Sequence, residues 1–116
     1  MYEGVERRRY PRLDHGFLVH YPLYGDNNVM DLSQIKNISL GGALFTTLGA
    51  YDKGTDIPLK IKLPGGSVEP QGRVVESRTV CAGTIFDTRV EFSSMGDSDR
   101  KKISQVLEHY MNQDAL

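Results

Sequence analysis

Residues 57–63 restrict the fold more than any other stretch of this chain. In Ile57-Pro58-Leu59-Lys60-Ile61-Lys62-Leu63 the four aliphatic residues share one face of an extended chain and both lysines share the other. That two-residue period belongs to a half-buried strand. Other stretches repeat the signal more weakly. Phe17 to Tyr21 is rich in aromatic and β-branched side chains, Val29 to Ile35 and Ala43-Leu44-Phe45 follow, and Val68 to Val80 is longer and more polar. The last of these breaks near Pro70 or Gly72, because proline cannot donate to a ladder. Thr84 to Phe92 returns as its partner. Tyr24 to Asn28 and Pro64-Gly65-Gly66 read as turns, and Leu48 to Thr55 as a loop. About six short strands at near-regular spacing predict a mainly β fold, a small antiparallel barrel over residues 16–95.

Only at the end does the period change. Ile103, Val106, Leu107, Tyr110 and Met111 recur at helical spacing and form one apolar stripe. Asp97-Ser98-Asp99 supplies cap oxygens and acid at the positive end of the dipole. One amphipathic helix over 98–112 is therefore expected to cap the barrel, with Arg100-Lys101-Lys102 as a solvated face. At 116 residues the chain makes one domain with one core.

Several function classes are disfavoured. No apolar run approaches the roughly 20 residues of a membrane helix, so no membrane insertion is expected. Met1 to Glu6 has no apolar signal-peptide core, and Cys81 has no partner for a disulfide. Both fit a cytoplasmic protein, and the Asn37-Ile38-Ser39 sequon then carries no glycan. His15, His20 and His109 are scattered, without metal-ligand spacing. Gly49 to Gly54 has the glycine spacing of a phosphate loop, but Thr55-Asp56 stands where Lys-Ser/Thr is needed. Cys81 has no neighbouring base to activate it, and no carboxylate pair is marked out for acid–base work. The chain reads as a binding protein, not an enzyme, with no cofactor.

Two stretches carry the binding chemistry. Arg7-Arg8-Arg9-Tyr10-Pro11-Arg12 gathers four guanidinium groups ahead of the first strand while the net charge of the chain is −1. Such a basic knot, on an arm comprising residues 1–12, suits an anionic ligand, although a solvated terminal arm is the plain alternative. In Asn37-Ile38-Ser39-Leu40-Gly41-Gly42, residues 37 and 39 point to one side of an extended chain and offer an amide and a hydroxyl. Gly41 and Gly42 leave room for a flat ligand to reach the backbone. That set suits the edge of a purine; an ordinary turn is the alternative reading.

Taken together, Arg8 and Arg12 in an Arg-x-x-x-Arg pattern and Asn37, Ser39 and Gly42 in an Asn-x-Ser-x-x-Gly pattern 25 residues on resemble the PilZ domain family, bacterial receptors for cyclic di-GMP. The resemblance extends to Arg89-Val90-Glu91-Phe92 and the acid-capped helix. It implies that Arg8 and Arg12 grip guanine edges and phosphates with help from Arg7 and Arg9. Asn37 and Ser39 would bind the other guanine, with Gly41 and Gly42 keeping its space clear, and Arg78 would be a further contact. Where the family often places a stacking aromatic, this chain has Glu76-Ser77-Arg78, which leaves one or two bound ligand molecules open. The resemblance also implies an arm that closes over the ligand and relays binding to a downstream protein of motility, secretion or biofilm machinery, with no DNA partner. Two other readings are a single-stranded nucleic-acid binder and a PilZ-like protein scaffold that binds no nucleotide.

Overall fold

The computed structural model describes residues 12–23 and 26–114. Residues 1–11 of the predicted arm, with Arg7, Arg8 and Arg9, lie outside the described residues, as do turn positions Tyr24 and Gly25. The chain runs β1 (Leu18–Leu23), β2 (Asp26–Ile38), β3 (Gly42–Thr47), β4 (Asp56–Pro58), β5 (Lys60–Leu63), β6 (Gly66–Val68), β7 (Gln71–Cys81), β8 (Ile85–Ser94) and α1 (Asp97–Asp114). All strand pairs are antiparallel, in the order β4-β7-β8-β3-β2-β1-β5-β6. β4 pairs with β7 at one end of that order and β5 with β1 near the other, yet Leu59 alone joins them. One strand can serve both ends only if the sheet curls upon itself, as in the predicted barrel.

The described residues hold eight strands instead of six, because two predicted strands divide. The strand over 57–63 changes partner at Leu59, whose N–H donates to the Pro70 carbonyl at 3.1 Å. The side chains keep one inward face through the change, with Ile57, Leu59, Ile61 and Leu63 all buried. The strand from Val68 breaks at Glu69-Pro70, between β6 and β7. The helix is longer at both ends than 98–112, and its first turn is tied differently from the cap expected. Arg100 N–H donates to the Gly96 carbonyl, and the Asp99 carboxylate accepts the Glu69 N–H at 2.9 Å. Asp99 thus fastens α1 to the β6–β7 connection. Ile103, Val106 and Leu107 are buried in the core, and Tyr110 and Met111 pack at its margin.

Inside the barrel Tyr21, Phe45 and Tyr51 form an aromatic cluster, with Tyr21 centred 5.4 Å from Phe45 and 6.4 Å from Tyr51. Both phenols are satisfied, Tyr51 by the Pro22 carbonyl and Tyr21 by Asp31 at 2.9 Å. Burial, reinforced by that hydrogen bond, holds the Tyr21 phenol above its ordinary pKa. Tyr51 comes from the stretch predicted as a loop, so that loop contributes to the core.

Thr47 and Thr88 are fully buried polar residues. Tyr51 N–H donates to Ser77 Oγ at 3.0 Å, Ser77 and Thr88 hydroxyls lie 2.7 Å apart, and Thr88 and Thr47 hydroxyls 2.8 Å apart. Thr47 then donates to the Gly49 carbonyl. A donor fixed at one end and an acceptor at the other give the chain one direction: Ser77 donates to Thr88 and Thr88 to Thr47. It crosses β7, β8 and β3 and holds the loop of Gly49 and Tyr51 against them. Replacing Thr88 by Val breaks both central bonds and strands Ser77 without an acceptor. We expect Thr88→Val to lower unfolding free energy by about 1–3 kcal/mol, read from the midpoint of urea denaturation.

Candidate functional site

The site is assembled where the chain enters the barrel. Leu13, itself buried, forms an isolated antiparallel bridge with Ile38. Leu13 N–H donates to the Ile38 carbonyl at 2.8 Å, and Ile38 N–H donates to the Leu13 carbonyl at 2.9 Å. These two bonds hold Arg12 beside the end of β2. On β2 the pairing with β3 shifts between Ile35 and Asn37, so Lys36 is the extra residue of a bulge. Ile35 and Ile38 are both buried although three apart, which strict alternation forbids. The bulge resolves this, and Asn37 and Ser39 flank Ile38 on the outer side.

The following turn is built from its own side chain. Ser39 Oγ accepts the Gly41 N–H at 3.0 Å, Ser39 N–H donates to the Gly42 carbonyl at 2.9 Å, and Phe92 N–H donates to the Gly41 carbonyl at 2.8 Å. Among the described residues the Ser39 hydroxyl hydrogen has no acceptor. Gly42 opens β3 so close to β8 that a Cβ there would overlap the Val90 carbonyl oxygen and press on the Glu91 Cα. Sequence reasoning gave Gly42 the task of leaving space for a ligand. The structure adds a reason of packing, independent of any ligand.

Arg12, Asn37, Ser39, Gly41 and Gly42 line one groove of about 310 Å³, at the small end of ligand sites. Five further residues complete it, Ala43, Val75, Arg89, Val90 and Glu91, none of which the sequence assigned to the site. The register explains why they are there. Leu44 lies between Asn37 on β2 and Arg89 on β8, while Glu91 faces Gly42. Arg89-Val90-Glu91-Phe92 was visible as a strand, and only its pairing with β3 shows which residues border the groove. Arg78 is not in the groove. Its guanidinium meets Glu76 at 3.1 Å and lines a smaller hollow of about 60 Å³, which Arg89 also borders.

The charges follow the same division. Lys36 is engaged by Asp87 at 2.9 Å and Arg73 by Asp56 at 3.3 Å, both on the exposed surface. Arg12, Arg89 and Glu91 form no ion pair or hydrogen bond through their side chains among the described residues. Among the described residues the groove therefore holds two guanidinium groups and one carboxylate without partners, an amide and a hydroxyl.

A second hollow, about 290 Å³, lies between Pro64-Gly65 and α1. Its polar groups, Lys102, Gln105 and His109, come from that one helix. His15 and His109 both contact the Tyr110 ring, at centroid distances of 4.6 and 5.1 Å. Among the described residues no three His, Cys, Asp or Glu side chains gather as metal ligands, and no helix is long and apolar enough to cross a membrane.

Residues 6–109 match the PilZ domain family, described as "PilZ domain". This chain is a member of the PilZ family. No curated protein matches the sequence. Among solved structures, the domain resembles the Bacillus subtilis inhibitor of motility MotI/DgrA, with a TM-score of 0.73 and 19% identity over 91% of this chain and 52% of that one. The PilZ domain of Escherichia coli YcgR, solved with c-di-GMP, gives 0.70 and 15% identity over 94% and 97% of the two chains. The K. pneumonia MrkH–c-di-GMP complex gives 0.70 and 19% over 94% and 54%. The domain thus spans about half the length of MotI/DgrA and MrkH and nearly all of the YcgR PilZ domain. These likenesses establish the fold.

The close approach at Gly42 yields a test that needs no ligand. A Gly42→Ala PilZ domain must push β3 away from β8, and backbone atoms give way less readily than side-chain ends. Overpacking of this kind costs about 1–3 kcal/mol, so the melting temperature of the free protein should fall. If Gly42 served only to clear space for a ligand, the free variant would melt like the parent.

Proposed function

We propose that this PilZ domain is a receptor for cyclic di-GMP, bound in the groove between the β2–β3 turn and β8. The observation that carries the reading is the Leu13–Ile38 bridge, which sets Arg12 on the groove that Asn37 and Ser39 line. Phosphate and the O6/N7 edge of guanine both take paired hydrogen bonds from a guanidinium. Arg12 and Arg89 supply two, Asn37 offers an amide for a base edge, and Ser39 donates a hydroxyl. Arg8 precedes Arg12 by four residues, a reach of about 13–14 Å in extended chain. We assign Arg7 and Arg8 to the same ligand, with Arg9 assisting. Arg78 would act beyond the groove, through the hollow it shares with Arg89. The structures of YcgR and MrkH solved with c-di-GMP support this choice of ligand.

On this reading ligand contacts draw the arm onto the barrel, and the covered groove presents a new surface to a protein partner. A ligand shifts such an equilibrium only through contacts it makes in one state, and the arm arginines supply them. The domain acts by binding and not by catalysis. A single-stranded nucleic acid would want aromatic platforms along a basic track, and among the described residues no aromatic side chain lines the groove.

Calorimetric titration of the full chain with cyclic di-GMP, beside GMP and a short single-stranded oligonucleotide, tests the proposal. Saturable binding of the cyclic dinucleotide alone is expected. Arg12→Ala should weaken it by about 1–3 kcal/mol, roughly five- to 150-fold. No heat and no thermal shift would leave the domain as a protein scaffold.

A further inference from the structure

Two guanidiniums in the groove account for an anionic ligand, but Glu91 does not fit that account. Glu91 lines the groove from β8, on the outer face of the strand opposite buried Val90. Of its two cross-strand neighbours, Gly42 has no side chain and Arg73 is turned to Asp56. Glu91 is exposed and has no partner among the described residues, and a carboxylate only accepts hydrogen bonds. A carboxylate beside bound phosphates repels them. Its presence is explained if the ligand also turns paired N–H donors towards β8. Guanine carries such a pair, N1–H and the 2-amino group, on a single edge that two carboxylate oxygens can accept side by side. Adenine has an acceptor at N1 and lacks the 2-amino group. The opposite edge of guanine, O6 and N7, is an acceptor pair suited to Arg12 or Arg89.

We infer that Glu91 accepts the N1–H and 2-amino hydrogens of a guanine in the groove and so sets the base specificity of the site. The inference rests on the cyclic di-GMP reading and adds a determinant outside both sequence motifs. Arg73 is left to Asp56, and Gly42 sets no side chain beside the carboxylate.

The test compares the full chain with Glu91→Gln and Glu91→Ala, each titrated with cyclic di-GMP, cyclic di-IMP and cyclic di-AMP. Hypoxanthine is guanine without its 2-amino group, so the pair of ligands isolates that contact. The parent should prefer cyclic di-GMP to cyclic di-IMP by about ten-fold or more, and to cyclic di-AMP by at least as much. In both variants cyclic di-GMP binding should weaken about ten-fold, and its advantage over cyclic di-IMP should shrink towards unity. Melting temperatures should stay at the parental value, since Glu91 is exposed on β8. Variants that keep the parental preference among the three ligands would overturn the role of Glu91 and leave the receptor reading standing. A parent that binds none of the three would overturn the receptor reading, and this inference with it.

Discussion

Two backbone hydrogen bonds between Leu13 and Ile38 determine where everything else at the groove can lie. They lie next to Arg12, and both residues are anchored by burial of their side chains. Each bond alone contributes modestly, about 0.5–1.5 kcal/mol. Their importance is positional: a pair flanked by two buried aliphatic residues has one register, so Arg12 and Asn37 cannot slide past each other. The bulge at Lys36 is the complementary device. It spends one residue to change which face the strand presents, keeping Ile35 and Ile38 inside while Asn37 and Ser39 turn out.

The opposite wall of the groove is stiff for a different reason. β8 pairs with β7 from Ile85 to Ser94 on one side and with β3 from Phe86 to Glu91 on the other. The hydroxyl chain from Ser77 through Thr88 to Thr47 ties the three strands at their buried level. Arg89 and Glu91 follow Thr88 in the same strand, so their backbone is fixed before any ligand arrives. Such preorganisation lowers the ordering cost of binding. On the other wall, Arg12 projects from a bridge of one residue pair, and the arginines proposed to help it precede that bridge. One wall is rigid and the other is supplied by the chain entry, an arrangement suited to a ligand that must be enclosed.

How far the sequence reveals this structure depends on the range of each interaction. Alternation over 57–63 and the stripe from Ile103 to Met111 are local, and both were readable because side-chain direction alone decides them. The exchange of partners at Leu59 was not readable. An inward-facing residue stays inward whether its backbone bonds run to β7 or to β1, so the hydrophobic pattern passes through the junction unchanged. Asn37, Ser39 and Gly42 stood out by their spacing, yet one reason for Gly42 lies across the sheet, in the Val90 carbonyl. Arg89 and Glu91 belonged to a strand the sequence made visible, but nothing local marked them for the site. Charged residues alternating with Val90 and Phe92 look like any solvated outer face, and only the pairing of Glu91 with Gly42 brings them to the groove. Tyr51 was hidden in the same way, as an aromatic residue in a glycine-bearing loop.

On the proposed reading one groove, framed by the chain entry, the β2–β3 turn and β8, receives the ligand. Backbone amide chemical shifts recorded while cyclic di-GMP is added to the isotope-labelled chain would locate it residue by residue. The account predicts that the largest changes fall on Arg12 and Leu13, on Asn37 to Gly42, and on Arg89 to Glu91, while Gly65 and the α1 residues Lys102 to Tyr110 stay silent. Changes centred on the hollow beside α1, or none at saturating ligand, would contradict it.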